Sequence, residues 1–258
     1  MSQDPWLEDI PAEPSPTWNT WSISPSQAGQ GSAHQPSLTS PTTSTPTMNI
    51  SIEDLECHSN DHQTYLVTFF NDQIHTTLTH VPSTVEGWIT DVQRTHQANL
   101  THFIVGLDVE WRPSFNRTIE NKVAILQLCV DRKCLIFQLL YADHIPMSLI
   151  DFLNNPNFSF VGVGINEDVE KLLEDYEINV SNTVDLRGLA VKKLGKPELK
   201  NSGLKDLTRE VLGKEMEKPR RVTMSRWDTE WLSYDQVQYA CLDAFLSSEI
   251  GRNLILKN

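Results

Sequence analysis

Basic residues and long hydrophobic runs are missing from the N-terminal part of this 258-residue chain. Residues 1–48 contain no Lys, Arg, Phe, Tyr or Val, yet they hold eight of the fourteen prolines. A segment of this composition cannot bury enough apolar surface to offset the entropy of ordering it, which excludes a folded domain there. We therefore predict that residues 1–50 form a disordered tail rich in Ser, Thr and Pro.

Two further absences bear on where the protein resides. No apolar run approaches the roughly 18 residues of a bilayer-spanning helix, so no membrane span is expected. The first residues also lack the basic start and apolar core of a secretory signal. We accordingly expect a protein of the nucleus and/or cytoplasm that is not secreted. The tryptophans Trp6, Trp18 and Trp21 suggest a protein partner for the tail, although tryptophans without any function fit equally well.

Cysteine is also sparse, and its spacing excludes the usual zinc sites. Cys57, Cys129, Cys134 and Cys241 show no Cys-x-x-Cys pair. Cys129 and Cys241 lie in apolar patterns that are typical of core positions. We predict reduced thiols, as in cytosolic and nuclear proteins.

The net charge of −13 argues at first against a nucleic-acid partner. Its distribution is uneven, however, because residues 187–226 contain twelve bases and only five acids. Such a segment is either a solvated helix face or a surface that contacts phosphates. On the second interpretation, Lys205 and Arg226 are candidates for substrate binding.

Hydrophobic periodicity predicts an α/β fold. Strands are predicted at 64–70, 73–79, 102–110, 123–130, 134–139 and 159–164. Helices are predicted at 82–97, 146–154, 165–176, 184–194, 203–212 and, after the N-cap Ser233, over a long C-terminal segment. This order indicates a mixed sheet, an antiparallel meander plus parallel strands, flanked by helices.

Two carboxylates end the apolar strand at 102–110. Asp108 and Glu110 are two residues apart, so they share one face of the strand. Two carboxylates on a buried face repel each other unless a cation lies between them. The alternative is a strand end that reaches solvent.

Three further polar residues lie on predicted helices. Tyr239 and Asp243 are one turn apart on the last helix and therefore face the same way. Asp168 lies in the first turn of the helix at 165–176. Each has an ordinary alternative: a buried tyrosine bonded to a carboxylate, and an acid that stabilises the helix dipole.

The order of these residues resembles the DEDDy branch of the DnaQ-like 3′–5′ exonucleases, and more narrowly the Werner-syndrome-type exonuclease domain, in its plant-like form. The resemblance rests on GLDVEWRPSF, KVAILQLCV, FVGVGINEDVEKL and LSYDQVQYACLDAFLSSEI. It implies an exonuclease domain over residues 60–256 with an RNase H-like fold and two Mg²⁺ or Mn²⁺ ions. By this likeness Asp108, Glu110, Asp168 and Asp243 are metal ligands, and Tyr239 orients the attacking water.

The main hypothesis is a metal-dependent exonuclease that removes nucleotides from the 3′ end of DNA and/or RNA, at a single strand or a recessed end. Trp111 is a candidate to stack on a terminal base, with core packing as the alternative. Glu170 stands where some relatives carry an aromatic residue, which weakens the case for base stacking there. Two rival hypotheses are a catalytically weak or inactive module that binds nucleic acid or protein, and a hydrolase for very short oligonucleotides.

Overall fold

Eight strands form one mixed sheet in a computed structural model that describes residues 49–56, 59–96, 103–114 and 120–256. The strands are β1 (Ile50–Leu55), β2 (His62–Phe69), β3 (Asp72–Thr79), β4 (Phe103–Trp111), β5 (Val123–Val130), β6 (Lys133–Phe137), β7 (Phe158–Gly162) and β8 (Thr183–Asp185). Their order across the sheet is β1-β2-β3-β6-β5-β4-β7-β8.

The pairing of the strands confirms the predicted fold class. β4, β5 and β6 form the antiparallel meander, with Asp108 opposite Gln127 and Leu128 opposite Leu135. β7 runs parallel to β4, and β8 runs parallel to β7. β3 joins the other side of the meander through a parallel pairing with β6. The carboxyl ends of β3, β6, β4, β7 and β8 therefore meet at one edge of the sheet.

Helices cover both faces of this sheet. The α-helices in the described part are α1 (Pro82–Thr95), α2 (Met147–Leu153), α3 (Ile165–Tyr176), α4 (Leu186–Leu194), α5 (Leu204–Leu207), α6 (Arg220–Thr223) and α7 (Tyr234–Leu256). Short 3₁₀ turns span Leu139–Tyr141 and Pro197–Asn201, and a π-helical turn spans Thr208–Leu212. None of the helices in these ranges combines the length and the apolar character needed to cross a bilayer.

The central strand β4 sends alternate side chains to the two faces. Val105 and Leu107 join a hydrophobic cluster with residues of α1, α2 and α3. Ile104 belongs to a second cluster, built with α4, α5 and α7 on the other face. Asp108 and Glu110 are an even number of residues from Ile104, so they point to the same face of the strand, which α7 covers.

Helix α7 lies unusually close to the sheet at two glycines. A Cβ atom added to Gly106 would lie 1.8 Å from the carbonyl oxygen of Ala244. A Cβ atom added to Gly251 would lie 2.8 Å from Cγ2 of Val161. The absence of both side chains lets α7 pack directly on β4 and β7, which places its polar residues beside the carboxylates of β4.

Three elements differ from the sequence-based expectations. β1 was not predicted, because its polar residues interrupt the apolar pattern. β8 occupies residues 183–185, although the sequence predicts a helix that begins at 184. The Asp185 side chain accepts a hydrogen bond from the Arg187 amide (2.8 Å) and caps α4, so this helix begins only at Leu186. The helix predicted at 203–212 is α5 followed by the π-helical turn.

The expectation of reduced cysteines is wrong for one pair. Cys129 and Cys134 are opposite each other in the β5–β6 hairpin and form a disulfide. The hairpin register brings them together, which a spacing rule for metal sites does not detect. Cys241 is a free, buried thiol, as predicted, and it accepts a hydrogen bond from the Thr76 hydroxyl (3.1 Å).

The predicted tail lies outside the described residues. The tail at 1–50 and a partner for its tryptophans therefore stay predictions, as does the domain boundary at 60–256. The described elements belong to one compact unit, Thr45–Asn258.

Replacing Gly106 with Ala should destabilise the protein by about 3 kcal/mol or more, because the new methyl group meets backbone that no rotamer change can move. Gly87 is the matched control, since its Cβ would meet nothing within 4 Å on an exposed helix face. Gly87→Ala should stabilise by about 0.5–1 kcal/mol. Denaturant unfolding measures both, and equal effects would contradict the close approach of α7.

Candidate active site

Three carboxylates converge at the carboxyl end of β4. Asp108 and Glu110 project from the strand toward α7, and Asp243 projects from α7 toward the strand. One oxygen from each of the three lies within 4.8 Å of the others. Asp243 is buried, whereas Asp108 and Glu110 are partly buried. The structure thus brings together residues that are more than a hundred positions apart in the sequence.

Asp168 and Tyr239 complete the group of predicted site residues. Asp168 is buried in the first turn of α3, which starts after Gly164 in a left-handed conformation (φ 80°). Tyr239 is buried one turn before Asp243 on α7. Its hydroxyl accepts a hydrogen bond from the Thr223 hydroxyl of α6 at 3.2 Å.

The carboxylates perturb one another because they share a buried region. Burial, and then repulsion from Asp243 and Asp168, raises the pKa of Asp108 well above its ordinary value. Burial and Asp243 raise the pKa of Glu110 in the same way. Burial, with Glu167 and Asp243 adding to it, raises the pKa of Asp168 to about 7. Without a metal ion, burial and mutual repulsion therefore favour the protonated forms of these carboxyl groups.

Lys218 is a site residue that the sequence did not single out. Its ammonium group lies 2.6 Å from Oδ2 of Asp243 and 4.8 Å from the centroid of the Tyr239 ring. Burial opposes the charge of Lys218, but attraction to Asp243 and Asp108 overcomes it and raises the pKa of this lysine. The only signal in the sequence is the basic segment 187–226, in which no spacing distinguishes Lys218 from its neighbours.

A cavity of about 240 Å³ opens beside this cluster. Asp108, Asp243 and Lys218 form one part of its wall, and Gly203 and Lys205 form another. Lys205, predicted to bind substrate, thus lies within the same cavity as two of the carboxylates.

Trp111 and Arg226, the other two residues predicted to contact substrate, are not in the wall of this cavity. Trp111 packs against the core on the α3 side, and the Lys171 ammonium lies 5.4 Å from its ring centroid. Arg226 is exposed and pairs with Asp228 at 3.4 Å. Their contacts with substrate stay predictions.

The donor set suits divalent cations. Oδ2 of Asp168 and Oδ1 of Asp243 are buried and have no hydrogen-bond partner within the described residues. Buried acceptors without partners are costly. Mg²⁺ and Mn²⁺ prefer carboxylate oxygens as ligands. The residues present therefore fit the Mg²⁺ or Mn²⁺ ions that the resemblance in sequence implies.

A comparison with protein families decides the affiliation of this chain. The model of a 3′–5′ exonuclease family matches residues 82–257. The chain belongs to this 3′–5′ exonuclease family. The matched range spans the positions of all five predicted catalytic residues, and the match confirms the resemblance to 3′–5′ exonucleases.

Two curated relatives are each matched over only part of their length. A 3′–5′ exonuclease of Arabidopsis thaliana is 39% identical over 144 residues, which is 55% of this chain and 49% of the relative. The mouse bifunctional 3′–5′ exonuclease/ATP-dependent helicase WRN is 35% identical over 152 residues, 58% of this chain and 11% of the relative. The matched part is about half of the first relative and about a tenth of the second.

Two solved structures share the fold of the exonuclease domain. The Nibbler EXO domain of Aedes aegypti has a TM-score of 0.56 and 20% identity, and the alignment covers 69% of this chain and 85% of the Nibbler chain. RNase D of Escherichia coli has a TM-score of 0.55 and 19% identity, and the alignment covers 68% of this chain and 44% of the RNase D chain. These likenesses confirm the predicted DnaQ-like fold.

Replacing Lys218 with Met should destabilise the metal-free exonuclease domain by about 3 kcal/mol, because Asp243 loses its buried partner. Divalent ions should reduce this loss, since they replace the missing positive charge. Thermal unfolding in EDTA and in Mn²⁺ measures the difference. Lys122→Met, which removes an exposed lysine without an ion pair, should change neither value. An equal loss of stability for Lys218→Met in EDTA and in Mn²⁺ would mean that the charge of Lys218 does not compensate the carboxylates.

Replacing Asp168 with Asn should stabilise the metal-free domain increasingly as the pH rises from about 4 to 7. The pKa of Asp168 is raised from 3.8 to about 7. The unfolded chain therefore releases this proton first, and the native state loses relative stability across that window. Asn cannot ionise and avoids the loss. Melting temperatures in EDTA test this, with exposed Glu170→Gln as the control. A difference between Asp168→Asn and wild type that is constant with pH contradicts the expectation.

Proposed function

We propose that this protein is a metal-dependent 3′–5′ exonuclease that hydrolyses phosphodiester bonds at the 3′ end of DNA and/or RNA. The observation that carries the proposal is the convergence of Asp108, Glu110 and Asp243 within 4.8 Å beside a cavity that also holds Lys218. Membership of the 3′–5′ exonuclease family supports it. The substrate would be a single strand or a recessed 3′ end.

Four carboxylates would hold two Mg²⁺ or Mn²⁺ ions. Asp108 would help to hold both ions, together with Glu110 and Asp243 at the first and with Asp168 at the second. Such ions lower the pKa of a bound water and stabilise the departing 3′ oxygen. The unpartnered oxygens of Asp168 and Asp243 support this assignment.

Tyr239 would position the attacking water and not deprotonate it. Burial, and then the charge of Asp243, raises the pKa of this phenol above its ordinary value. A phenol with a raised pKa is a poor base near neutral pH. The hydrogen bond from Thr223 and the contact with Lys218 hold the ring in place one turn before Asp243 on α7.

Lys218 would contribute to charge balance during the reaction. Four carboxylates and two divalent ions sum to zero, and the ammonium adds one positive charge. This matches the single negative charge of a phosphodiester. A positive residual charge favours a transition state that gains negative charge.

The purified protein should shorten 5′-labelled DNA or RNA oligonucleotides into a ladder when Mg²⁺ or Mn²⁺ is present. Asp108→Ala should lower the rate by about 10³-fold or more, because a bridging ligand of both ions is lost. Asp151→Ala, which removes an exposed carboxylate on α2, is the matched control and should leave the rate unchanged.

Two outcomes of this assay decide against the proposal. Binding of oligonucleotides without any metal-dependent shortening would favour the inactive binding module. Hydrolysis of dinucleotides but not of longer strands would favour a hydrolase for short oligonucleotides. Melting temperatures with and without Mn²⁺ give a second readout, since metal should stabilise wild type more than Asp108→Ala.

A further inference from the structure

Most basic side chains in the described part of the chain are neutralised by a carboxylate, and the exceptions cluster. Residues 49–56, 59–96, 103–114 and 120–256 contain five lysines or arginines outside any ion pair. They are Lys122, Lys192, Lys193, Lys200 and Arg220. Four of the five lie between residues 192 and 220, and three of these four belong to α4 and the 3₁₀ turn that follows it.

Three of these cations belong to a segment that leads into the cavity of the active site. Lys192 and Lys193 are exposed in the last turn of α4, and Lys200 is exposed on the following 3₁₀ turn. Gly203 and Lys205 then line the cavity together with Asp108 and Asp243. Lys200 is three positions before Gly203, which limits their Cα atoms to about 11 Å apart.

The segment is fixed to the body of the protein. Leu199 and Leu204, on either side of the exposed lysine, are each only 5% exposed and belong to the core cluster under α7. Lys205 has one ionic partner, Glu217, at 3.4 Å, and the two side chains are 41% and 70% exposed. We call Lys192, Lys193, Lys200 and Lys205 the lysine track.

The opposite flank of the active site has the reverse charge. Glu167, Glu170 and Glu174 are exposed along α3, and all three line a second cavity of about 410 Å³ beside Trp111. In the described part of the chain none of the three forms an ion pair. Arg112 and Lys171 line the same cavity, but each is paired with a carboxylate, Asp228 and Asp175 respectively. The unpaired charges are thus negative on the α3 side and positive on the α4 side, which favours a polyanion on the α4 side.

An ordinary explanation accounts for only part of this arrangement. Lysines in the last turn of a helix stabilise its dipole, which is sufficient for Lys192 and Lys193. It does not explain Lys200, or the continuation to Lys205 inside the cavity. Lys192, Lys193 and Lys200 have no ion pair among the described residues, so they repel one another, and a chain of phosphates relieves this repulsion.

We infer that the lysine track binds the sugar–phosphate backbone of the strand upstream of the scissile bond. The strand approaches the carboxylates across the 3₁₀ turn Pro197–Asn201 and the end of α4, and it avoids the acidic flank on α3. This inference rests on the proposed exonuclease function. It adds a direction of approach and a preference for substrates long enough to reach α4.

The test removes three charges that lie outside the wall of the active-site cavity, in the variant Lys192→Gln, Lys193→Gln, Lys200→Gln. Binding of a long fluorescent single-stranded oligonucleotide is measured in EDTA as a function of salt. Each lost phosphate contact lowers the slope of log K against log salt by about 0.7, so the slope should fall by about 2. Between about 50 and 200 mM salt, wild type should lose about 20-fold more affinity than the variant.

A length series in Mn²⁺ provides the second readout. The ratio of kcat/KM for the long oligonucleotide to kcat/KM for a dinucleotide should fall about tenfold or more in the triple variant, because a dinucleotide cannot reach α4. Lys122→Gln, which removes an equally unpaired lysine elsewhere, is the control and should preserve both the slope and the ratio. The single variant Lys200→Gln replaces the triple variant if that protein does not fold.

The outcomes separate this inference from the proposed function. Wild type that shortens oligonucleotides, with a triple variant of unchanged slope and ratio, overturns the lysine track and leaves the exonuclease proposal standing. Equal losses of kcat/KM for long and short substrates also overturn it, since the substitutions then act by disturbing the fold and not by removing contacts with a long strand. If the slope falls by about 2 in the triple variant but the wild type never shortens a strand, the result supports binding by the lysine track and contradicts the exonuclease proposal.

Discussion

The close approach of α7 to β4 is the constraint on which this structure depends. Gly106 has no side chain to hold the Ala244 carbonyl away, so the helix lies directly on the central strand. Asp243 immediately precedes Ala244, and Asp108 follows Gly106 by two residues on the same face. The contact that completes the core therefore also fixes the separation of two carboxylates, and it carries Tyr239 into place one turn earlier on α7.

The same packing forces acidic groups into a region that water barely reaches, and this is expensive. An uncompensated charge there costs several kcal/mol, and one lysine cannot offset four carboxylates. The raised pKa values of Asp108, Glu110 and Asp168 are one response, because protons remove the charge. Lys218 is a second response, and divalent ions would be a third. A buried group of carboxylates that shares one lysine is suited to hold divalent ions.

The sequence predicted those parts of the site that depend on local periodicity. The spacing of Asp108 and Glu110 on a strand, and of Tyr239 and Asp243 on a helix, fixes their shared faces before any tertiary contact forms. Tertiary contacts determined the rest. Lys218 enters from an irregular segment whose path depends on α7, and the face of Trp111 is occupied by Lys171 from a neighbouring helix. The partner of Cys129 likewise depends on the register of a hairpin. Such placements have no periodic signature.

The central claim is that these carboxylates form a site for divalent cations, and anomalous diffraction tests it most directly. Crystals soaked in Mn²⁺ would be measured at the manganese absorption edge. The account predicts two anomalous peaks, one about 2.1 Å from oxygens of Asp108, Glu110 and Asp243 and one near Asp108 and Asp168. An ordered cluster without any peak, with Lys218 still bound to Asp243 at saturating Mn²⁺, would contradict it.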